Sequence, residues 1–222
     1  MRKMQTLNRN RYRGFTLIEM AVVLVIVGLL LGGMLVPLST QMETDRRKET
    51  AATLESIREA LIGYAVINGS LPCQDTNNDG LPGPGACNTG ANQRNVGGLP
   101  YATLGVSRTD AWGNTWTYAV NGAYTQALTL PPPAVTNNGQ GDLEVRAAAN
   151  CAGAQRGEFL PALVLSNART TNGGTLEPEN RDIDRCFVDA GYSQLNNGFD
   201  DLVVWIPTGV LYNRLVAAGT LP

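Results

Sequence analysis

The ionisable and sulfur-bearing side chains bound what this chain of 222 residues can do. It contains no histidine, and beyond Asn68 it contains no lysine. With its cysteines paired it also has no thiol. Ser-His-Asp, Cys-His and Ser-Lys nucleophile arrangements are thereby excluded, which leaves paired carboxylates as the only acid–base groups. The sharpest pair is Asp200–Asp201. Neighbours in a strand point to opposite faces, so this pair reads as structural. No phosphate-binding glycine loop, dinucleotide fingerprint or zinc motif is present. We expect no enzyme and no catalytic residue.

Metal chemistry has one partial pattern. Asp75-x-Asn77-x-Asp79-Gly80 matches the first half of a calcium loop. The position for the bidentate Glu of such a loop, twelfth in order, is Ala86. Turn formation by Asp and Asn accounts for the same residues. Asp75, Asn77 and Asp79 are therefore kept only as calcium candidates, and no other cofactor is expected.

Cys73, Cys87, Cys151 and Cys186 are even in number, and their spacing matches no zinc pattern. Two disulfides are expected. Of three possible pairings we favour Cys73–Cys87 and Cys151–Cys186, because each closes a loop rich in Gly and Asn.

The carboxylate in the least usual setting is Glu19. From Met20 to Met42 there are 23 residues without a charge. At about 1.5 Å per residue a helix of that length reaches roughly 35 Å, enough for a bilayer core of about 30 Å. A carboxylate at the start of such a segment costs a few kcal/mol if it enters lipid, about 2.5 to 3.5 on insertion scales, and needs a partner. No Lys, Arg or His lies between Phe15 and Met42, so the partner is expected outside this stretch. A carboxylate at a helix start also suits the helix dipole. Ahead of the apolar run stand Arg2, Lys3, Arg9, Arg11 and Arg13, with no acid before Glu19. Positive flanks stay cytoplasmic, so the chain after the span is expected outside the cytoplasm, where disulfides form. No small-x-small cleavage site follows the run, unlike an ordinary secretory signal.

Gly14-Phe15-Thr16-Leu17-Ile18-Glu19-Met20 with this run resembles the prepilin signature of type IV pilins and type II secretion pseudopilins. The resemblance implies that a dedicated prepilin peptidase cuts between Gly14 and Phe15 and methylates the new amine of Phe15. It implies that Glu19 pairs in a filament with the Phe15 amine of a neighbouring subunit. Residues 1–14 would be a leader that is removed, 15–67 a long helix with its first half transmembrane, and 68–222 an extracytoplasmic head. The expected fold is α+β, a long N-terminal helix packed on a head with an antiparallel sheet. The expected partners are other pilin or pseudopilin subunits, the peptidase, inner-membrane assembly machinery and, before assembly, lipid. The head would lie in the periplasm, and the filament there or at the cell surface. Some relatives bind calcium in a later surface loop; here the nearest acidic cluster is Asp200 and Asp201, with Asp182, Asp184 and Asp189 upstream.

The elements that must position these residues are legible in outline. Pro37 should bend the helix. Gly28 and Gly32, with Gly33 beside them, form a small-xxx-small pair that lets helices approach closely, although glycine is also common in membrane helices. Beyond Glu43, apolar Leu54, Ile57, Leu61, Ala65 and Val66 recur at helical spacing opposite Arg46, Arg47, Lys48, Glu49, Glu55, Arg58 and Glu59. Asn68-Gly69 followed by Pro72 marks the helix stop. Gly69 to Pro100 reads as a long loop. Thr115 to Val120 reads as a strand entered from Trp112-Gly113-Asn114, a segment similar to the start of the sheet in the major pseudopilin. Asn121-Gly122 then predicts a hairpin turn, with Ala123 to Leu130 returning. Further strands are expected at Leu143–Ala147, Phe159–Leu165 and Leu202–Ile206, with Ser166–Gln194 crossing the surface between the last two. Thr208 is placed to cap a last helix ending at Gly219.

A rival class is a single-pass anchored binding protein or hydrolase, for which the helix is only a tether. Nucleic acid is not an expected partner. From Asn68 onward there are 8 Arg against 13 Asp and Glu, and the arginines are scattered, so phosphate attraction is lacking.

Overall fold

The computed structural model describes residues 14–83, 87, 94–134, 143–169, 176–182, 184–193 and 198–221, without the side chains of 32–39 and of Arg94. Two compact units are present, Met1–Asp45 and Arg46–Pro222. The boundary falls inside the first helix, α1 (Leu17–Asn68, 52 residues).

In the first unit, α1 is apolar on every side from Met20 to Leu31, and its large side chains there are exposed, among them Leu24 at 68% and Leu29 at 72%. A helix without a polar face has no reason to stay in water. Among the described residues no helix is long and apolar enough to cross a membrane. The expected span, Met20–Met42, runs into residues 32–39, whose side chains lie outside the described residues, as do Gly32, Gly33 and the bend expected at Pro37. The basic residues before Gly14 also lie outside them.

In the second unit, the rest of α1 is amphipathic as its spacing predicts. Leu54, Ile57, Leu61 and Ala65 are buried, while Glu55 and Glu59 face out. The helix stops at Gly69, whose φ of 69° is the left-handed cap conformation and whose N–H donates to Ala65 O at 2.8 Å.

Among the described residues, two sheets complete this unit. The first has the order β1-β2-β5-β7 and is antiparallel, built from β1 (Arg94–Gly98), β2 (Thr117–Asn121), β5 (Ala162–Ser166) and β7 (Leu202–Ile206). The second has the order β4-β3-β6, with β3 (Leu143–Ala148) antiparallel to β4 (Ala152–Leu160) and parallel to β6 (Cys186–Val188). The architecture is thus α+β, but its sheets are not wholly antiparallel.

Alternation along the strands of the first sheet gives it two apolar faces. Tyr118, Val120, Val164 and Ile206 pack with Ile57 and Leu61 of α1 and with Leu211 and Leu215 of α2 (Thr208–Ala217). Ala119, Leu163 and Leu165 pack instead with Leu143, Val145, Leu160 and Phe187 of the second sheet. The first sheet is therefore the middle layer.

Several expectations are corrected here. The hairpin after β2 does not form. Asn121 keeps an extended φ of −74°, and its side chain accepts from Ala123 N to cap a short 3-10 turn, Gly122–Thr125. The hairpin would have needed positive φ at both central residues. The following segment buries Tyr124 and Leu128 in the core and bonds to the end of α1 through Leu128 N to Gly69 O. The place beside β2 is taken by β1, inside the stretch read as loop, and by β5. The strand expected over Phe159–Leu165 is broken at Pro161, with Phe159 at φ 51°, so the chain crosses from one sheet to the other. Ser166–Gln194 does not simply cross the surface: Cys186, Phe187 and Val188 are buried as β6. Thr208 does not cap α2. Pro207 holds that position, and the Thr208 hydroxyl donates to Phe159 O at 3.1 Å.

Candidate functional site

The first turn of α1 is set by Thr16-Leu17-Ile18-Glu19, a capping box in which residues three apart satisfy each other's backbone donors. The Thr16 N–H and the Thr16 hydroxyl both donate to Glu19 Oε2 at 3.0 Å, and Glu19 N–H donates back to Thr16 Oγ1 at 3.3 Å. These donors are neutral, so they cap the helix without supplying the positive charge expected as the partner of Glu19. The helix begins at Leu17, so Gly14, Phe15 and the capping residue Thr16 precede it as non-helical chain. Phe15 is 79% exposed, and a Cβ built on Gly14 would meet nothing within 4 Å. The backbone between them is accessible. Gly28 is open in the same sense, with nothing within 4 Å of a built Cβ.

The calcium-like segment is a turn organised by one buried carboxylate. Asp75 is 2% exposed and accepts from Asn77 N at 3.0 Å and Asn78 N at 2.7 Å on one oxygen, and from Gly80 N at 2.6 Å on the other. Asp79 accepts from Leu81 N and from the Asn77 side chain, at 2.8 and 2.9 Å. Backbone bonds between Asp75 and Gly98, at 2.8 and 2.9 Å, fasten the turn to β1. The disulfide Cys73–Cys87 closes this loop, and Cys151–Cys186 joins the start of β4 to β6, with Cα–Cα distances of 5.6 and 5.4 Å. These are the favoured pairings.

A second turn has the same logic. Asp110 accepts from Trp112 N at 2.9 Å, Asn114 N at 2.8 Å and the Ser166 hydroxyl at 2.6 Å, with Gly113 between at φ 89°. The Trp-Gly-Asn segment is thus tied to β5.

Asp200 and Asp201 are brought together with a residue that the sequence reading did not pair with them. They lie just before β7 rather than within a strand, so the opposite-face argument does not apply. Oxygens of Glu177, Asp200 and Asp201 lie within 4.8 Å of one another, and all three residues are buried. Glu177 comes from a 3-10 turn, Glu177–Asn180. The next residue, Arg181, reaches back to Glu177 Oε2 at 3.7 Å and Asp201 Oδ1 at 3.9 Å. Asn180 donates to Asp201 Oδ2 at 2.8 Å, and Glu177 accepts from Asp200 N at 3.3 Å. From α1, Arg47 donates to Asp200 O at 3.0 Å and lies 3.9 Å over the Tyr192 ring. Burial pushes the Asp201 carboxyl up to about 7, opposed by the Asn180 bond and by Arg181 and reinforced by Glu177 and Asp200. The upstream acids go elsewhere: Asp189 pairs with Arg156 at 3.6 Å, and Asp184 accepts from Cys186 N.

Sequence reasoning missed the capping box, although its Thr-x-x-Glu spacing was readable. It missed Glu177 because nothing local links a residue to a partner 23 or 24 positions away.

Compared with known protein families, residues 9–35 match the prokaryotic N-terminal methylation motif. No curated protein and no solved structure matches the chain. The match covers the residues that cap the first helix and the exposed Gly14–Phe15 peptide before it, so the chain carries the signature of type IV pilins and pseudopilins at its N-terminus.

Proposed function

We propose that this chain is a structural subunit of a type IV pilus-like filament, a pseudopilin or minor pilin, and not an enzyme. The observation that carries the reading is the methylation motif over residues 9–35, whose Gly14–Phe15 peptide lies exposed outside a capped helix. In this reading the prepilin peptidase removes residues 1–14 and methylates Phe15. The uncharged stretch from Met20 to Met42 holds the subunit in the inner membrane, with the head in the periplasm. Assembly then draws the apolar part of α1 out of lipid and against the same part of neighbouring subunits, with Gly28 and Gly32 allowing close approach. The exposure of this part of α1 on all sides supports the reading, since such a helix needs lipid or other helices around it. Glu19 pairs with the Phe15 amine of a neighbour in the filament core.

Mass spectrometry of the N-terminus of protein from native membranes tests this. The expected mature chain begins at N-methylated Phe15. A chain that retains residues 1–14, or one cut after Met42, would overturn it.

A further inference from the structure

Three carboxylate oxygens within 4.8 Å of one another have the spacing of ligands around a divalent cation. The guanidinium of Arg181, however, lies 3.7 Å from one and 3.9 Å from another. A cation bound by these carboxylates would sit against that fixed positive charge, with little water to screen it. We infer that Arg181 is the resident counter-cation of the buried Glu177–Asp200–Asp201 cluster, and that the head is stable without a divalent metal there.

The charge balance agrees. Arg181 faces the carboxylates of Glu177 and Asp201 within the cluster, and Arg47 from α1 is held at its rim through Asp200 O and the Tyr192 ring. Burial adds to this by pushing the Asp201 carboxyl up to about 7, which favours its protonated form below that pH. Neutral Asn180 supplies hydrogen bonds to Asp201 and to the Val188 backbone, and so ties the cluster to β6. Arginine suits this place because it does not deprotonate, and both contacts run from the one nitrogen Nη2, so a point charge can serve them.

The test uses the full-length protein in detergent micelles. Trp112, Trp116 and Trp205, the three tryptophans, all lie in Arg46–Pro222, so tryptophan fluorescence follows the unfolding of that unit. Wild-type Tm is expected to be the same in EDTA and in about 5 mM calcium, above the roughly 0.1–1 mM dissociation constants of extracellular calcium modules. Calorimetric titration of the wild type with calcium chloride should show no saturable heat. Arg181→Gln should lower Tm by about 3 °C or more in EDTA, and calcium should restore part of that loss by entering the vacated place. Arg181→Lys should retain most of the stability. Glu177→Gln combined with Arg181→Gln should melt above Arg181→Gln alone, because one of the uncompensated charges is gone.

A saturable rise of wild-type Tm with calcium would overturn the inference, as would an Arg181→Gln variant as stable as wild type. If Arg181→Gln does not fold, the wild-type calcium titration and the Arg181→Lys melt still decide it. None of these outcomes bears on whether the N-terminus is processed.

Discussion

The backbone N–H and the hydroxyl of Thr16 converge on one oxygen of Glu19, each at 3.0 Å. The only acid of the first helical turn is therefore folded back over the helix start, where four backbone N–H groups lack intrahelical acceptors. It also lies one turn from Phe15. Thr16 thus holds in the single subunit the same carboxylate that the proposed filament pairs with a neighbour's amine.

Processing gives the first prediction. Gly14→Val should leave uncut precursor in the membrane, because the peptidase must fit the residue before the exposed peptide. Immunoblots of membrane fractions from cells with an active prepilin peptidase check this. Complete conversion of the variant to the mature size would mean that Gly14 does not define the cleavage site.

Loss of the carboxylate gives the second. Glu19→Ala and Glu19→Gln should both be inserted and cut, yet enter filaments at least roughly tenfold less well, since a core charge left without its partner costs about 3–5 kcal/mol. Yield in sheared filament fractions is the measurement. Wild-type yield from both variants would make Glu19 a bystander whose only role is the cap with Thr16.

Cross-linking gives the third. Cys73–Cys87 and Cys151–Cys186 span 14 and 35 positions, and loop-closure entropy assigns each about 3 to 4 kcal/mol. Replacing either pair with serine should lower the denaturant midpoint by that measure. A variant lacking Cys151–Cys186 with unchanged stability would show that the β4–β6 connection is held by the sheet alone.

Core packing gives the fourth. Leu61 is fully buried against the first sheet, so Leu61→Ala should cost about 2–5 kcal/mol. Urea unfolding followed by tryptophan fluorescence reads it. A loss under about 1 kcal/mol would mean that α1 does not close this core.

The Asp201 carboxyl gives the fifth, and its sign is fixed by direction. Its folded value is raised from 3.8 to about 7, so the folded state holds a proton that the unfolded state has released in this window. The contribution is present at low pH and is lost as pH rises through about 7. Asp201→Asn should flatten the fall in Tm between about pH 4 and 7 and melt higher than wild type at the upper end. Parallel wild-type and variant curves across that range would sink the assignment.

Much of this protein is decided locally, and the sequence alone is sufficient there. The uncharged run after Glu19, the methylation motif around Gly14 and Phe15, the amphipathic spacing of Leu54, Ile57 and Leu61, and the stop at Asn68-Gly69 depend on residues a few positions apart. The strands at Leu143 and Leu202 and the cysteine pairing were legible for similar reasons of composition and loop closure. Only the tertiary structure decided the partners. Asn121-Gly122 has hairpin composition, but burial of Tyr124 and Leu128 beside the end of α1 outweighs it, and β2 pairs with distant β1 and β5 instead. Cys186-Phe187-Val188 is too short to announce a strand, yet it pairs with β3 because the core needs Phe187. Glu177, Arg181 and Asp201 become one charged cluster only when the second sheet folds against the first. That energy comes from burial and charge compensation between residues far apart in the chain, which no local spacing records.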